Sequence, residues 1–75
     1  MENFKINYSL YELRTERKLS ERDLATLSGV SKSQINNIEN GTKHPTVYTL
    51  CLLSLALGVS PYELFSIEIK GDCPP

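Results

Sequence analysis

Along this 75-residue chain, apolar residues recur mostly at helical spacing, and residues that cap or stop helices interrupt them at short intervals. Ile6, Leu10 and Leu13 fall at i, i+4 and i+7 and predict the buried stripe of a first helix ending near Lys18. Ser20-Glu21-Arg22-Asp23 reads as an N-cap with an acidic residue at N3. It opens a second helix over roughly 21–28, carrying Leu24, Ala25 and Leu27 and stopped by Gly29. Ser31 with Gln34 starts a third helix almost at once, burying Ile35 and Ile38 and running to about Asn40 before Gly41. After the break at Thr42-Lys43-His44-Pro45, Thr46 caps a fourth helix. There Leu50, Leu53 and Leu57, with Cys51 and Leu55, give a broad apolar face up to Gly58. Ser60-Pro61-Tyr62-Glu63 supplies a cap, a proline at N1 and a glutamate at N3, predicting a short fifth helix from Pro61 to about Phe65.

The expected architecture is therefore all-α, a compact five-helix bundle occupying residues 1–66. The tail, 67–75, breaks the pattern. Phe65 to Lys70 alternates apolar and polar with period two, as a strand does. No other segment offers a strand partner by its pattern, which leaves a tail lying loosely across the domain or a strand pairing with a second copy. Gly71 to Pro75 is expected to be disordered.

Composition narrows the class. With 40% apolar and 23% charged residues the chain is globular, not disordered. It has no apolar run of the ~20 residues a membrane span needs and no basic-then-apolar leader, so a cytoplasmic, nucleoid-associated protein is expected. Cys51 and Cys73 lack the clustered partners of a zinc site, and Cys51 reads as a buried thiol. No metal, cofactor or small-molecule ligand is expected. One histidine, no Cys–His pairing at helical register and no glycine-rich phosphate loop argue against an enzyme. The net charge of −1 is polarised. Between Arg14 and Lys43 six cations face four anions, a net of +2, whereas the segment from His44 onward carries −2.

The second and third helices, joined by a short glycine turn, form a helix-turn-helix. Ala25 is small enough for the helices to cross, Gly29 accepts the positive φ of the turn, and Leu24, Val30, Ile35 and Ile38 fill the space between them. The run Leu19-Ser20-Glu21-Arg22-Asp23-Leu24-Ala25-Thr26-Leu27-Ser28-Gly29-Val30-Ser31 resembles the phage-repressor/Cro (XRE) helix-turn-helix family. So do Lys32 to Gly41, Pro45, and Leu55-Ala56-Leu57-Gly58-Val59-Ser60. The similarity covers about Ile6 to Phe65 and implies a five-helix DNA-binding domain whose third helix enters the major groove.

With Ile35 and Ile38 turned inward, that helix presents Lys32, Ser33, Asn36 and Asn37 outward, and residues at its N-terminal end are the ones that meet base edges. The resemblance places base reading on Lys32, Ser33 and Asn37. Lysine suits guanine O6/N7 and asparagine suits adenine N6/N7. Phosphate contacts are expected at the start of the second helix (Ser20, Glu21, Arg22) and after the third (Asn40, Thr42, Lys43). Relatives often carry glutamine where this chain has Glu21, a charge that opposes phosphate. The resemblance also implies an ion pair between Arg14 and Glu39.

A domain this small reads few base pairs, so double-stranded DNA would be bound by a homodimer. Candidate contacts are the end of the fourth helix, Tyr62, Leu64, Phe65, Ile67 and Ile69. The reading that follows is a transcriptional regulator acting as a repressor on a pseudo-palindromic operator. Its rival is an antitoxin or other module of the same fold that binds a partner protein.

Overall fold

The computed structural model describes residues 3–69. In chain order the elements are β1 (Phe4–Tyr8), α1 (Leu10–Glu16), α2 (Glu21–Ser28), α3 (Lys32–Asn40), α4 (Val47–Leu57), a 3-10 turn (Pro61–Glu63) and β2 (Phe65–Ile69). Four helices and a small two-stranded sheet replace the expected all-α bundle of five helices.

Local chemistry sets the helix ends. Ser20 and Asp23 form a reciprocal box: the Asp23 N–H donates to Ser20 Oγ at 2.9 Å, and the Ser20 N–H donates to Asp23 Oδ2 at 3.0 Å. Ser31 Oγ accepts the Gln34 N–H at 3.2 Å, and Thr46 Oγ1 accepts the Thr49 N–H at 3.1 Å. Each satisfies an amide that the first helical turn leaves without an internal acceptor. At the other end of α4, Arg17 Nε donates to the Leu57 carbonyl at 2.8 Å, tying the C-terminus of α1 to that of α4.

The first helix begins four residues later than Ile6 suggested. Ile6 belongs to β1, which pairs antiparallel with β2 in the register Phe4↔Ile69, Ile6↔Ile67 and Tyr8↔Phe65. The period-two tail thus finds its partner at the opposite end of the same chain, neither loose nor in need of a second copy. Directly opposite residues share a face, so Phe4, Ile6, Tyr8, Phe65, Ile67 and Ile69 form an apolar side, and Lys5, Asn7, Ser66 and Glu68 a polar one. The expected disorder of Gly71 to Pro75, and Cys73 with it, lies outside the described residues.

The fifth helix is also corrected. The Leu64 N–H closes a three-residue turn onto the Pro61 carbonyl, but the Leu64 carbonyl accepts from Ser9 N–H at 2.8 Å. That bond takes the acceptor a further helical turn would use and steers the chain into β2. Leu64 consequently points inward. It is fully buried with Leu10, Leu24, Ile35 and Leu53 in a core completed by Val30, Ile38, Leu50 and Leu57.

Two further expectations change. Leu27 and Leu55 are exposed, and Cys51 is half-buried because α4 turns it partly away from the core. Among the described residues, no helix is long and apolar enough to cross a membrane.

Candidate nucleic-acid interface

The turn between α2 and α3 is held by one buried hydroxyl. Ser28 Oγ donates to the Leu24 carbonyl at 2.7 Å and accepts the Val30 N–H at 3.1 Å, while Gly29 adopts φ 79°. An L side chain at Gly29 would meet no neighbour but would be strained by its own backbone. Leu24, Val30 and Ile35 fill the angle between the helices, so the outward side of α3 is fixed by what its inward side buries.

That outward side carries Lys32, Ser33 and Asn36 exposed and Asn37 half-buried, lining one shallow concavity. Its amides are already oriented. Asn36 Nδ2 donates to Glu21 Oε2 at 3.2 Å, and Asn40 Nδ2 donates to Asn36 Oδ1 at 3.0 Å. Asn36 therefore keeps one N–H and one lone pair for a ligand. Thr42 Oγ1 lies 3.3 Å from Asn37 Oδ1 and 3.2 Å from the Asn37 carbonyl, so its single hydrogen is shared between them. The Asn37 NH2 points away from this contact.

The start of α2 lies beside the start of α3, and Arg14, Ser20, Glu21, Arg22 and Lys32 line the groove between them. Ser20 is a cap here, with both its N–H and its Oγ engaged by Asp23. The amides of Glu21 and Arg22 are the ones that the helix start leaves for an outside acceptor. The hydrogen bond from Asn36 holds the Glu21 carboxyl below the usual carboxylate range, aided by Arg14 and Lys32, so a full negative charge sits in this groove. Asp23 is lowered too, chiefly by the Ser20 N–H.

Arg14 and Glu39 tie α1 to the end of α3. Arg14 Nε and Nη2 meet the two Glu39 carboxylate oxygens at 2.7 and 3.0 Å, and Nη1 donates to the Leu19 carbonyl at 2.8 Å. The two side chains are only 11% and 6% exposed. This fork-to-fork geometry satisfies the charges where water is scarce.

Asn40, Thr42 and Lys43 are exposed at the end of α3 and in the loop beyond it. In the same loop, His44 Nδ1 sits 2.8 Å from Tyr8 OH, a link from the sheet to the loop that the sequence did not suggest. The bond from Arg17 to the Leu57 carbonyl was likewise not suggested by the sequence. Of the residues considered for self-association, Tyr62, Ile67 and Ile69 are exposed and Phe65 is half-buried, but Leu64 is 0% exposed and offers no surface.

Two helices locked across a glycine turn, with the second presenting a polar face over a partly basic groove, define a helix-turn-helix domain. The Helix-turn-helix family model HTH_3 matches residues 10–64, and the chain belongs to this XRE-type family. The match leaves out both β1 and β2.

One similar relative is the uncharacterized HTH-type transcriptional regulator y4dJ of Sinorhizobium fredii. It is 42% identical over 52 residues, covering 69% of this chain and 68% of that protein. The HTH-type transcriptional repressor RghR of Bacillus subtilis is 47% identical over 64 residues, or 84% of this chain, which spans only 45% of RghR. Among solved structures, the restriction-modification controller protein C.AhdI from Aeromonas hydrophila superposes with a TM-score of 0.70 at 37% identity. The match covers 72% of this chain and 82% of C.AhdI.

Proposed function

We propose that the protein is a sequence-specific regulator of transcription that binds double-stranded DNA and represses by occupying its operator. The observation that carries this reading is the division of α3. Ile35 and Ile38 are buried, while Lys32, Ser33, Asn36 and Asn37 form an outward row of donors and acceptors. In this reading α3 enters the major groove. Lys32 and Asn37 meet base edges, Ser33 makes a less discriminating contact, and Asn36 uses the valences that Glu21 and Asn40 leave it. Arg22, the amide of Glu21, and Asn40, Thr42 and Lys43 hold the flanking phosphates. Two copies would place their α3 helices about 34 Å apart on one face of a pseudo-palindrome. The relative RghR is named a repressor, which supports that direction of control.

The test is selection of duplexes from a random library, followed by affinity measurement on the enriched sequence at two salt concentrations. Asn37→Ala is expected to cost about 1–3 kcal/mol and to relax one base position in each half-site. If no sequence is enriched and binding vanishes at physiological salt, the DNA-reading proposal fails. A second reading, a module that binds a partner protein as antitoxins do, is favoured by the bare apolar end of the sheet at Phe4, Ile67 and Ile69.

A further inference from the structure

From Pro45 to Tyr62 the chain carries no charged residue, a run of 18 positions in a protein that is 23% charged overall. The run includes the whole of α4, Val47–Leu57. A helix apolar on all sides belongs in an interior, yet α4 buries only one side of itself. Leu50, Leu53, Ser54 and Leu57 face the core, and α4 packs there against α2 and the 3-10 turn. The opposite side is a second stripe. Val47, Cys51 and Leu55 follow at steps of four, and Tyr48 stands seven before Leu55. Val47 is 75% exposed, Tyr48 73% and Leu55 79%, well above the 49–60% of Phe4, Ile67 and Ile69 on the sheet.

We infer that this outer stripe of α4 is the surface on which a second copy of the chain docks, two α4 helices packing across a two-fold axis. The inference rests on the DNA-reading proposal only for its purpose and can fail independently of it. Chemistry selects the occupant. With no cation, the stripe offers nothing to nucleic acid or to an anionic membrane surface, both of which are met through Lys and Arg. With no anion, it offers nothing to a basic partner. Depletion of charge and enrichment in tyrosine mark the core of an interface, and homodimer interfaces are the more apolar kind. An uncharged stripe is also self-complementary under two-fold symmetry, since no like charges are brought together. Val47, Tyr48 and Leu55 at roughly 150 Å² each, with part of Cys51, offer on the order of 500 Å² per copy. That is the larger part of the ~800 Å² each partner contributes to a stable interface. The half-buried Cys51 lies in the middle of the stripe, where the two copies would bring their thiols close together.

The full chain tests this. Sedimentation equilibrium and cooperative filling of paired half-sites are measured for wild type, Leu55→Glu and, as a control of equal chemistry on the sheet, Ile67→Glu. Wild type and Ile67→Glu are expected at twice the 8.5 kDa chain mass and to fill both half-sites cooperatively. Leu55→Glu should fall to the single-chain mass and lose cooperativity, with affinity for one isolated half-site unchanged. An equimolar mixture of Leu55→Glu and Leu55→Lys should recover the double mass. In a Cys73→Ser background, a short bismaleimide should join wild-type copies through Cys51 and leave Leu55→Glu uncrosslinked. Association indifferent to Leu55→Glu, or a wild type that is monomeric and non-cooperative, overturns the inference. The half-site measurement reports separately on DNA reading.

Discussion

The two helices α3 and α4 have inward sides of the same kind and outward sides with nothing in common. Each buries branched aliphatic side chains, Ile35 and Ile38 in one, Leu50, Leu53 and Leu57 in the other. Outside, α3 shows a lysine, a hydroxyl and amides, with Asn40, Asn36 and Glu21 linked by hydrogen bonds, whereas α4 shows valine, tyrosine and leucine with no charge. The inward sides fix where the helices sit and the outward sides decide what they can touch. A polar outer face costs nothing to hydrate. An apolar one is tolerated in water only singly or where something covers it.

The comparison breaks if the two inward sides are unequal. Ile35→Ala and Leu53→Ala each remove a side chain with no exposure, and each should lower stability by about 2–5 kcal/mol in urea unfolding. Either variant unfolding at the wild-type midpoint would contradict the shared core. Next in size is the anchor of α3. Glu39→Ala strands Arg14 in a nearly dry site at a cost of about 3 kcal/mol, the low end for a broken buried pair because the Leu19 carbonyl still accepts from Arg14. An unchanged melting temperature would mean that the pair holds nothing.

The outward side of α3 is sharpened by a smaller change. Glu21→Gln keeps an acceptor for Asn36 but removes a negative charge from the groove proposed to face phosphate, so DNA affinity should rise roughly three- to fivefold, more at low salt. Affinity that stays level or falls would show that Glu21 does not face the backbone. The smallest effect is that of acid. Glu21 and Asp23 both have folded-state pKa values below their unfolded ones. Their stabilisation is complete above the ordinary carboxylate pKa and disappears as pH falls through the folded value. Asp23→Asn should flatten the acid limb of thermal stability, and an unaltered limb would remove Asp23 from the account.

What was legible in the chain was local. Caps and glycines placed α2, α3 and α4 almost to the residue, because the amide that a capping serine or threonine satisfies lies three positions away. The sheet was not legible by that means. Ile6, Leu10 and Leu13 happen to match a helical stripe, and the partner of Ile6 is Ile67, far along the sequence. The competing signal was present in Phe4-Lys5-Ile6-Asn7-Tyr8, which alternates as cleanly as the tail does. At the candidate site, the outward placement of Lys32, Ser33, Asn36 and Asn37 could be read from helical phase. Their hydrogen bonds could not, since Glu21 meets Asn36 only through the crossing of two helices. Leu64 was misplaced because a strong helix-start signal says nothing about how soon the helix stops.

The pairing of β1 with β2 also orders events in time. Every helix closes through bonds between near neighbours, but this sheet joins the two most distant described stretches of the chain. Closing so long a loop must wait until the helices have shortened the path between its ends. On a ribosome, Phe4, Ile6 and Tyr8 emerge well before their partners from Phe65 to Ile69, which are made some sixty residues later, and so they wait to be paired. Amide protons of the sheet should accordingly exchange with solvent sooner than those of α2 and α4, since a segment made before its partner is one that folding finishes with.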